Sequence, residues 1–328
     1  MSELKFSRRQ WLAGGIGLAT GALLPSTAML AETYPNRAIQ IIVPTGAGGI
    51  TDILARLIGK SVSEQLHQPV VIENRPGAAG VIGTQAAARA QPDGYTLLMV
   101  FPSHAANPSL YEKLPYDSEK SFAPISMVTK VVSMLLVSNS CPAKSVKELI
   151  DLARNQSLSF SSVGTGSIAH LSAELFQSIA GVKLVHVPYA GVPQAFLAVV
   201  SGEVTMFFDT PITALPQIKA GTVRVLGIST TKRLAVAPEI PTIAESGLPG
   251  FEATGWNGLL APAGTPREIV DKLNDAVIKA LATDEIKRTL ADQGLELAGN
   301  SPDEFARIMH DDIQKWGRVV REAGIKPQ

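Results

Sequence analysis

The sequence predicts an α/β protein of two successive units, each a parallel, doubly wound sheet flanked by helices. Short apolar runs such as Ile39–Val43 and residues 95–101 recur between stretches of helical spacing. Glycine- or proline-rich loops close most of these runs at their C-terminal ends. The order strand, loop, helix starts again after residue 131, which argues for two units in sequence. In open α/β sheets, ligands bind outside those strand ends.

The first residues stand apart from this pattern. Ser7-Arg8-Arg9-Gln10-Trp11-Leu12 precedes an apolar run to Leu24, then Pro25 and small residues to Ala31. That order is the one of a secretory signal, and the paired arginines point to the twin-arginine route. The run is too short to span a bilayer comfortably, and no later segment is apolar for long enough. Residues 1–31 are therefore expected to be a signal peptide cut near Ala31, with the mature chain in the periplasm. Taking Lys5, Arg8, Arg9 and Glu3 from 29 basic and 29 acidic residues leaves a net charge of about −2. Nothing in that balance calls for nucleic acid or an anionic membrane as partner. Cys141 is the only cysteine, which excludes an internal disulfide and a cysteine-based metal site.

Ile39–Val43 is a buried strand that stops at Pro44 and opens into Thr45-Gly46-Ala47-Gly48-Gly49 before a helix that Asp52, Leu54, Leu57 and Ile58 announce. Such a loop offers unpaired N–H groups at the positive end of a helix dipole and suits a carboxylate or phosphate. Residues 69–73 form a second strand, 80–90 a small-residue helix, and 95–101 a third strand whose end carries Ser103 and His104. Residues 107–122 read as loop, and 131–137 as the next strand. Residues 158–163 lead into Gly164-Thr165-Gly166-Ser167 and a helix through His170. Residues 183–187 end in Pro188-Tyr189-Ala190-Gly191, and 204–208 end in Asp209-Thr210-Pro211. After the strand 223–229 the chain is expected to be helical, at 266–282, 284–293 and 302–323, without further strands.

Gly46-Ala47-Gly48-Gly49-Ile50-Thr51 matches a dinucleotide fingerprint with Thr51 in place of the third glycine, and Glu73 ends the next strand where a ribose acceptor would sit. An exported nicotinamide-dependent oxidoreductase is thus one alternative. Against it, Pro44 interrupts the smooth strand-to-helix turn, and no GxxxxGK[ST], HExxH or GxSxG motif is present. The histidines show no ligand spacing, so no metal is expected, and no cofactor or catalytic set is assigned. Two roles are open to His104 and His170: contact with a ligand, or a hydrogen bond to loop backbone. Asp52 is open to helix capping or ligand contact. Asp209, at the end of an apolar strand, is open to binding a ligand donor or capping the next segment.

Several blocks then point to one family. VPTGAGGITDILAR, VVIENRPGAAGVIG, PDGYTLLMV, HVPYAG and LLAPAGTP run in order through the mature chain. Together they resemble the substrate-binding proteins of tripartite tricarboxylate transporters, among them the Bug receptors. The resemblance implies a periplasmic, monomeric, two-lobed binding protein of the type II class. Its lobes close on a small carboxylated solute (a dicarboxylate, tricarboxylate, acidic amino acid or aromatic acid) for delivery to a membrane transporter or sensor, without chemistry. It implies a first lobe begun by residues 32–130, a second lobe of 131–235, and a return to the first lobe with the C-terminal helices over 236–328. By the same resemblance the first-lobe ligand contacts fall on Thr45, Gly48, Gly49 and Asp52. Those of the second lobe fall on Thr165, Gly166, Ser167 and His170, then on Tyr189, Ala190 and Gly191, and on Asp209 with Thr210. Thr45 stands where the family usually has Phe, and Thr210 where Asn often follows the aspartate.

Overall fold

The computed structural model describes residues 34–292 and 295–327; the expected signal peptide lies outside the described residues. The first series is β1 (Ile39–Val43), α1 (Ile50–Leu66), β2 (Val70–Asn74), α2 (Val81–Ala88), β3 (Thr96–Val100), α3 (Ser103–Leu110) and β4 (Phe122–Val131). The second is β5 (Met134–Ser138), α4 (Val146–Asn155), β6 (Leu158–Ser162), α5 (Ile168–Ala180) and β7 (Leu184–Pro188). It continues through α6 (Val192–Val200), β8 (Met206–Asp209), α7 (Pro211–Lys219) and β9 (Val223–Ile228). The chain then forms β10 (Gly255–Pro262), α8 (Arg267–Leu281), α9 (Asp284–Asp292), β11 (Glu296–Leu297) and α10 (Pro302–Glu322).

These strands build two sheets, in the orders β11-β4-β10-β3-β1-β2 and β7-β6-β8-β5-β9. The expected α/β layering holds, but the sheets are mixed. β1, β2 and β3 are parallel, as are β6, β7 and β8. β10 runs antiparallel to both β3 and β4, and β5 antiparallel to both β8 and β9. The expectation of no strand after residue 229 fails at β10 and at the short β11. The β10 sequence, GWNGLLAP, has the composition of a loop, yet β3 and β4 flank it and all eight residues are buried. Gly258 permits this, because the Phe305 ring occupies the space a Cβ would need. The expected loop 107–122 likewise begins inside α3, which carries Pro108 within its last turn.

Alternation along the strands covers both faces of the first sheet. Ile41, Val43 and Leu97 pack under α1 and α8 with Leu54, Ile58, Leu273 and Val277. Ile42, Leu98 and Val100 belong to a second core that continues through Phe305 and Trp316 to Leu135, Phe160 and Phe207 of the second sheet. Each such aliphatic burial is worth about 1.5–3 kcal/mol.

Two crossings join the sheets, and they are tied together: Ser229 N–H donates to the Ser133 carbonyl at 2.8 Å, and Ser133 N–H to Ser229 Oγ at 2.9 Å. Beyond residue 236 the chain still packs on the second sheet. Thr242 bridges Ile228, Lys147 N–H donates to the Ser246 carbonyl, and Phe251 stacks on Phe208. These contacts put the return crossing near Ala253, whose N–H donates to the Ser229 carbonyl at 2.9 Å, later than the expected 236.

Candidate ligand-binding site

The registers bring the candidate loops to one place in the topology. Val131 pairs with Gly255, and Gly258 with Val100, so both crossings leave the first sheet at the end where β3 stops. Met134 pairs with both Asp209 and Ile228, so they enter the second sheet at the end where β8 stops. The C-terminal ends of the parallel strands in each sheet therefore lie next to the crossings.

In the first loop Gly46, Ala47, Gly48 and Gly49 are all exposed. Gly48 adopts φ +83° and Gly49 is the extended N-cap of α1, without a side-chain cap. The N–H groups of Ile50, Thr51 and Asp52 have no backbone acceptor among the described residues. Asp52 faces inward and holds the loop. Its carboxylate accepts from Gly48 N–H at 2.9 Å, Arg56 Nε at 3.0 Å and Asn74 Nδ2 at 3.0 Å. Burial alone would raise its pKa, but the Arg56 guanidinium, the Gly48 amide and Asn74 outweigh that and hold it below the usual carboxylate value. Asn74 also donates to the Thr45 carbonyl at 3.2 Å, while the Thr45 hydroxyl is buried without a partner among the described residues. Arg75, beside the loop, is paired with Glu73, which also accepts from Gln40; the carboxylate that a ribose would need is thus engaged within the protein.

The second loop follows β6. Gly164 and Gly166 have φ +110° and +79°. Ser167 caps α5, accepting from His170 N–H at 3.3 Å and donating to the Gly164 carbonyl at 2.8 Å. Gly166 N–H donates to His170 Nδ1 at 3.2 Å. Thr165 is exposed between the glycines, and Leu110 of α3 fills the space beside Gly166. Tyr189 N–H donates to the Ser162 carbonyl at 2.9 Å, tying the third loop to the second; Ala190 is exposed, and Gly191 is the extended N-cap of α6.

Asp209 is 3% exposed and ties down the turn into α7, whose N-cap is Thr210, accepting from Thr210 N–H at 2.8 Å and from Thr213 Oγ1 at 2.6 Å. Burial pushes its carboxyl up, against the pull of those two donors. His104 departs from the rest: the structure seats it in the core. It is 2% exposed, its Nε2 lies 2.9 Å from the Ser118 carbonyl, and Tyr116, Phe122 and Trp256 surround the ring. Burial lowers its pKa to about 4. Ser103 is buried beside it at the start of α3.

Sequence reasoning passed over Asn74, Asn107, Ser162 and His186. Asn107 donates to the Ala79 carbonyl at 3.2 Å and so pins the turn where Ala78 and Ala79 take φ of 47° and 49°. Ser162 and His186 bond each other at 2.6 Å beside the second loop. The register pair Phe160↔His186 was the signal available for the histidine, but it exists only once the strands are paired.

A cavity of about 960 Å³ shares no residue with these loops. It is lined by Lys130 and Trp256, by Thr230–Val236 and by side chains of α9, β11 and α10. Among the described residues no three His, Cys, Asp or Glu side chains are placed to hold a metal, and no helix is long and apolar enough to cross a membrane.

A family model described as the tripartite tricarboxylate transporter family receptor matches residues 54–325. The chain is 37% identical to Protein BugT of Bordetella pertussis over 316 residues, covering 95% of this chain and 96% of that one. Its structure resembles R. palustris Rpa4515 with adipate at a TM-score of 0.77 and 37% identity, covering 90% of this chain and all of the other. It also resembles MatC from Rhodopseudomonas palustris with bound malate, at 0.74 and 34% identity, covering 88% of this chain and all of the other.

Proposed function

The chain belongs to the tripartite tricarboxylate transporter receptor family, and on that premise we propose that it is a periplasmic receptor for a small carboxylated solute. Exposed residues 46–49 carry the proposal. They bring to a strand end a helix N-terminus whose Ile50, Thr51 and Asp52 N–H groups have no backbone acceptor among the described residues. The nearest cations, Arg56 and Arg75, are already paired with carboxylates. An anion at this loop is therefore met by neutral dipoles and breaks no ion pair on entry. Thr45, Gly48 and Gly49 form one jaw; Thr165, Gly166, Ser167 and Tyr189 to Gly191 form the other. Asp52, His170 and Asp209 hold these loops in shape. The adipate and malate named for the two relatives indicate the size and chemistry of solute to try first.

Binding is followed by delivery to a membrane transporter or sensor, with no reaction on the protein. The chain acts as a monomer, exported by the twin-arginine route with removal of residues 1–31. Closure of the two sheets about their crossings gives the membrane partner a shape to read. A thermal-shift panel of mono-, di- and tricarboxylates, aromatic acids and acidic amino acids tests the proposal. One subset should raise the melting temperature with concentration, approaching about 2.7 kcal/mol of stabilisation at a hundredfold excess over Kd. A panel in which no carboxylate stabilises the protein overturns it.

A further inference from the structure

Two imidazoles grip the second loop. His170 Nδ1 accepts from Gly166 N–H at 3.2 Å, so its lone pair must be free and the ring proton sits on Nε2, 3.4 Å from Glu174 Oε1. His186 stacks on His170 with ring centroids 4.2 Å apart, and Phe160 stacks on His186 at 4.8 Å. His186 Nε2 lies 2.6 Å from Ser162 Oγ, which in turn accepts from Gly164 N–H at 3.0 Å. Each glycine of the loop is thus held, directly or through Ser162, by one ring of the pair. Both glycines have positive φ, and Ser167 also holds the Gly164 carbonyl; the histidine-linked bonds are the ones that fix the two glycine N–H groups.

We propose that His170 and His186 are positioning residues for the ligand loop, and that protonation of His170 releases it. A proton on Nδ1 would set an N–H against the Gly166 N–H at a hydrogen-bond distance, and one of the two must move away. The groups facing the pair bear on when this happens. On α5, Glu174 favours the His170 cation, and its other oxygen is held by Gln177 at 2.8 Å. On β6 the neighbours are Phe160 and Ser162, which carry no charge; β8, also packed on α5, ends in Asp209, whose carboxyl is held by Thr210 and Thr213. From α3 comes Leu110, and from α10 comes Glu322, which engages Ser178 further along α5. Burial and then the neighbouring His170 lower the His186 pKa to about 4. Ligand affinity should then be lower wherever His170 carries the second ring proton.

This rests on the loop being a ligand jaw, so the test reads the loop before any ligand is added. In ¹⁵N NMR of the ligand-free protein, the Gly166 amide should titrate together with the His170 ring. His170→Asn offers an acceptor that does not titrate; there the Gly166 amide should stay protected and lose its pH dependence. In His170→Phe its hydrogen exchange should be about tenfold faster, the loss expected for one net hydrogen bond. A Gly166 amide that ignores His170 ionisation in the wild type overturns the proposal. So does a His170→Asn protein that keeps the wild-type titration, a comparison that decides the matter even if His170→Phe does not fold. Adding adipate or malate at neutral pH separates the premise: binding that leaves the Gly166 amide unmoved defeats the jaw and leaves the histidine clasp standing.

Discussion

Gly48 and Gly49 are adjacent, yet different constraints act on them. Gly48 needs φ +83°, a conformation that costs a residue with a Cβ about 1–2 kcal/mol. Gly49 has an ordinary extended backbone, and a Cβ there would meet only the Gly46 carbonyl at 3.7 Å. Gly49→Val should therefore leave the melting temperature unchanged and abolish stabilisation by the solute, whereas Gly48→Val should lower both. Normal binding by Gly49→Val would remove the first loop from the site. Asp52 makes a different prediction. Its folded pKa is depressed, so its contribution is complete above the ordinary carboxylate value and is lost as pH falls through the folded one. Asp52→Ala should cost about 1–2 kcal/mol at neutral pH, after allowing for solvent screening of exposed Arg56. Urea titrations should show the gap to wild type closing in acid; a gap that persists unchanged would mean the charge on Asp52 is not what holds the loop. The sequence made Asp52 visible as a helix-start carboxylate and left its role open. It could not show Asn74, whose amide reaches Asp52 from the end of a different strand.

Elements with local signals were readable, and those imposed by neighbours were not. β1, α1, β6 and α5 follow from apolar runs, glycine loops and helical spacing close in sequence. β10 does not, because its pairing with β3 and β4 across long separations, and not its own composition, makes it a strand. α3 was hidden by Pro108, which falls late enough that most of the helix forms without the missing N–H. The caps allow a test of which helices serve the site. Ser301 caps α10 by accepting from Glu304 N–H at 3.2 Å, while Ser167 caps α5 inside the proposed ligand loop. Ser301→Ala should lower stability by about 1 kcal/mol with ligand affinity unchanged. Ser167→Ala, which also removes one of the donors to the Gly164 carbonyl, should lower both. Equal effects of the two substitutions on affinity would remove any special role for the α5 terminus.

At the scale of the molecule, strand order sets what a hinge can do. In the first sheet β1, which leads into the proposed first-jaw loop, lies with β2 and β3 on one side of β10 and β4; β11 lies on the other. In the second, β6, β7 and β8 lie on one side of β5, and β9 lies on the other. The 960 Å³ cavity is on that other side. One wall is Thr230–Val236, which leaves β9, and the opposite wall is α9, β11 and α10. Were the sheets to turn about the Ser133–Ser229 crossings, the two openings would move in opposite senses, and closing the proposed jaws would widen this cavity. Bulk placed in it should favour the closed form before any ligand arrives, and a ligand that binds the closed form gains from that shift. Ala235→Trp, or Ala291→Trp from the opposite wall, should therefore tighten solute binding, by about tenfold for each 1.4 kcal/mol of bias. Calorimetry gives the affinity, and small-angle scattering of the ligand-free variants should show a more compact particle than wild type. Weaker binding by both variants would mean that the cavity narrows on closure, and that the crossings are not the axis about which the sheets turn.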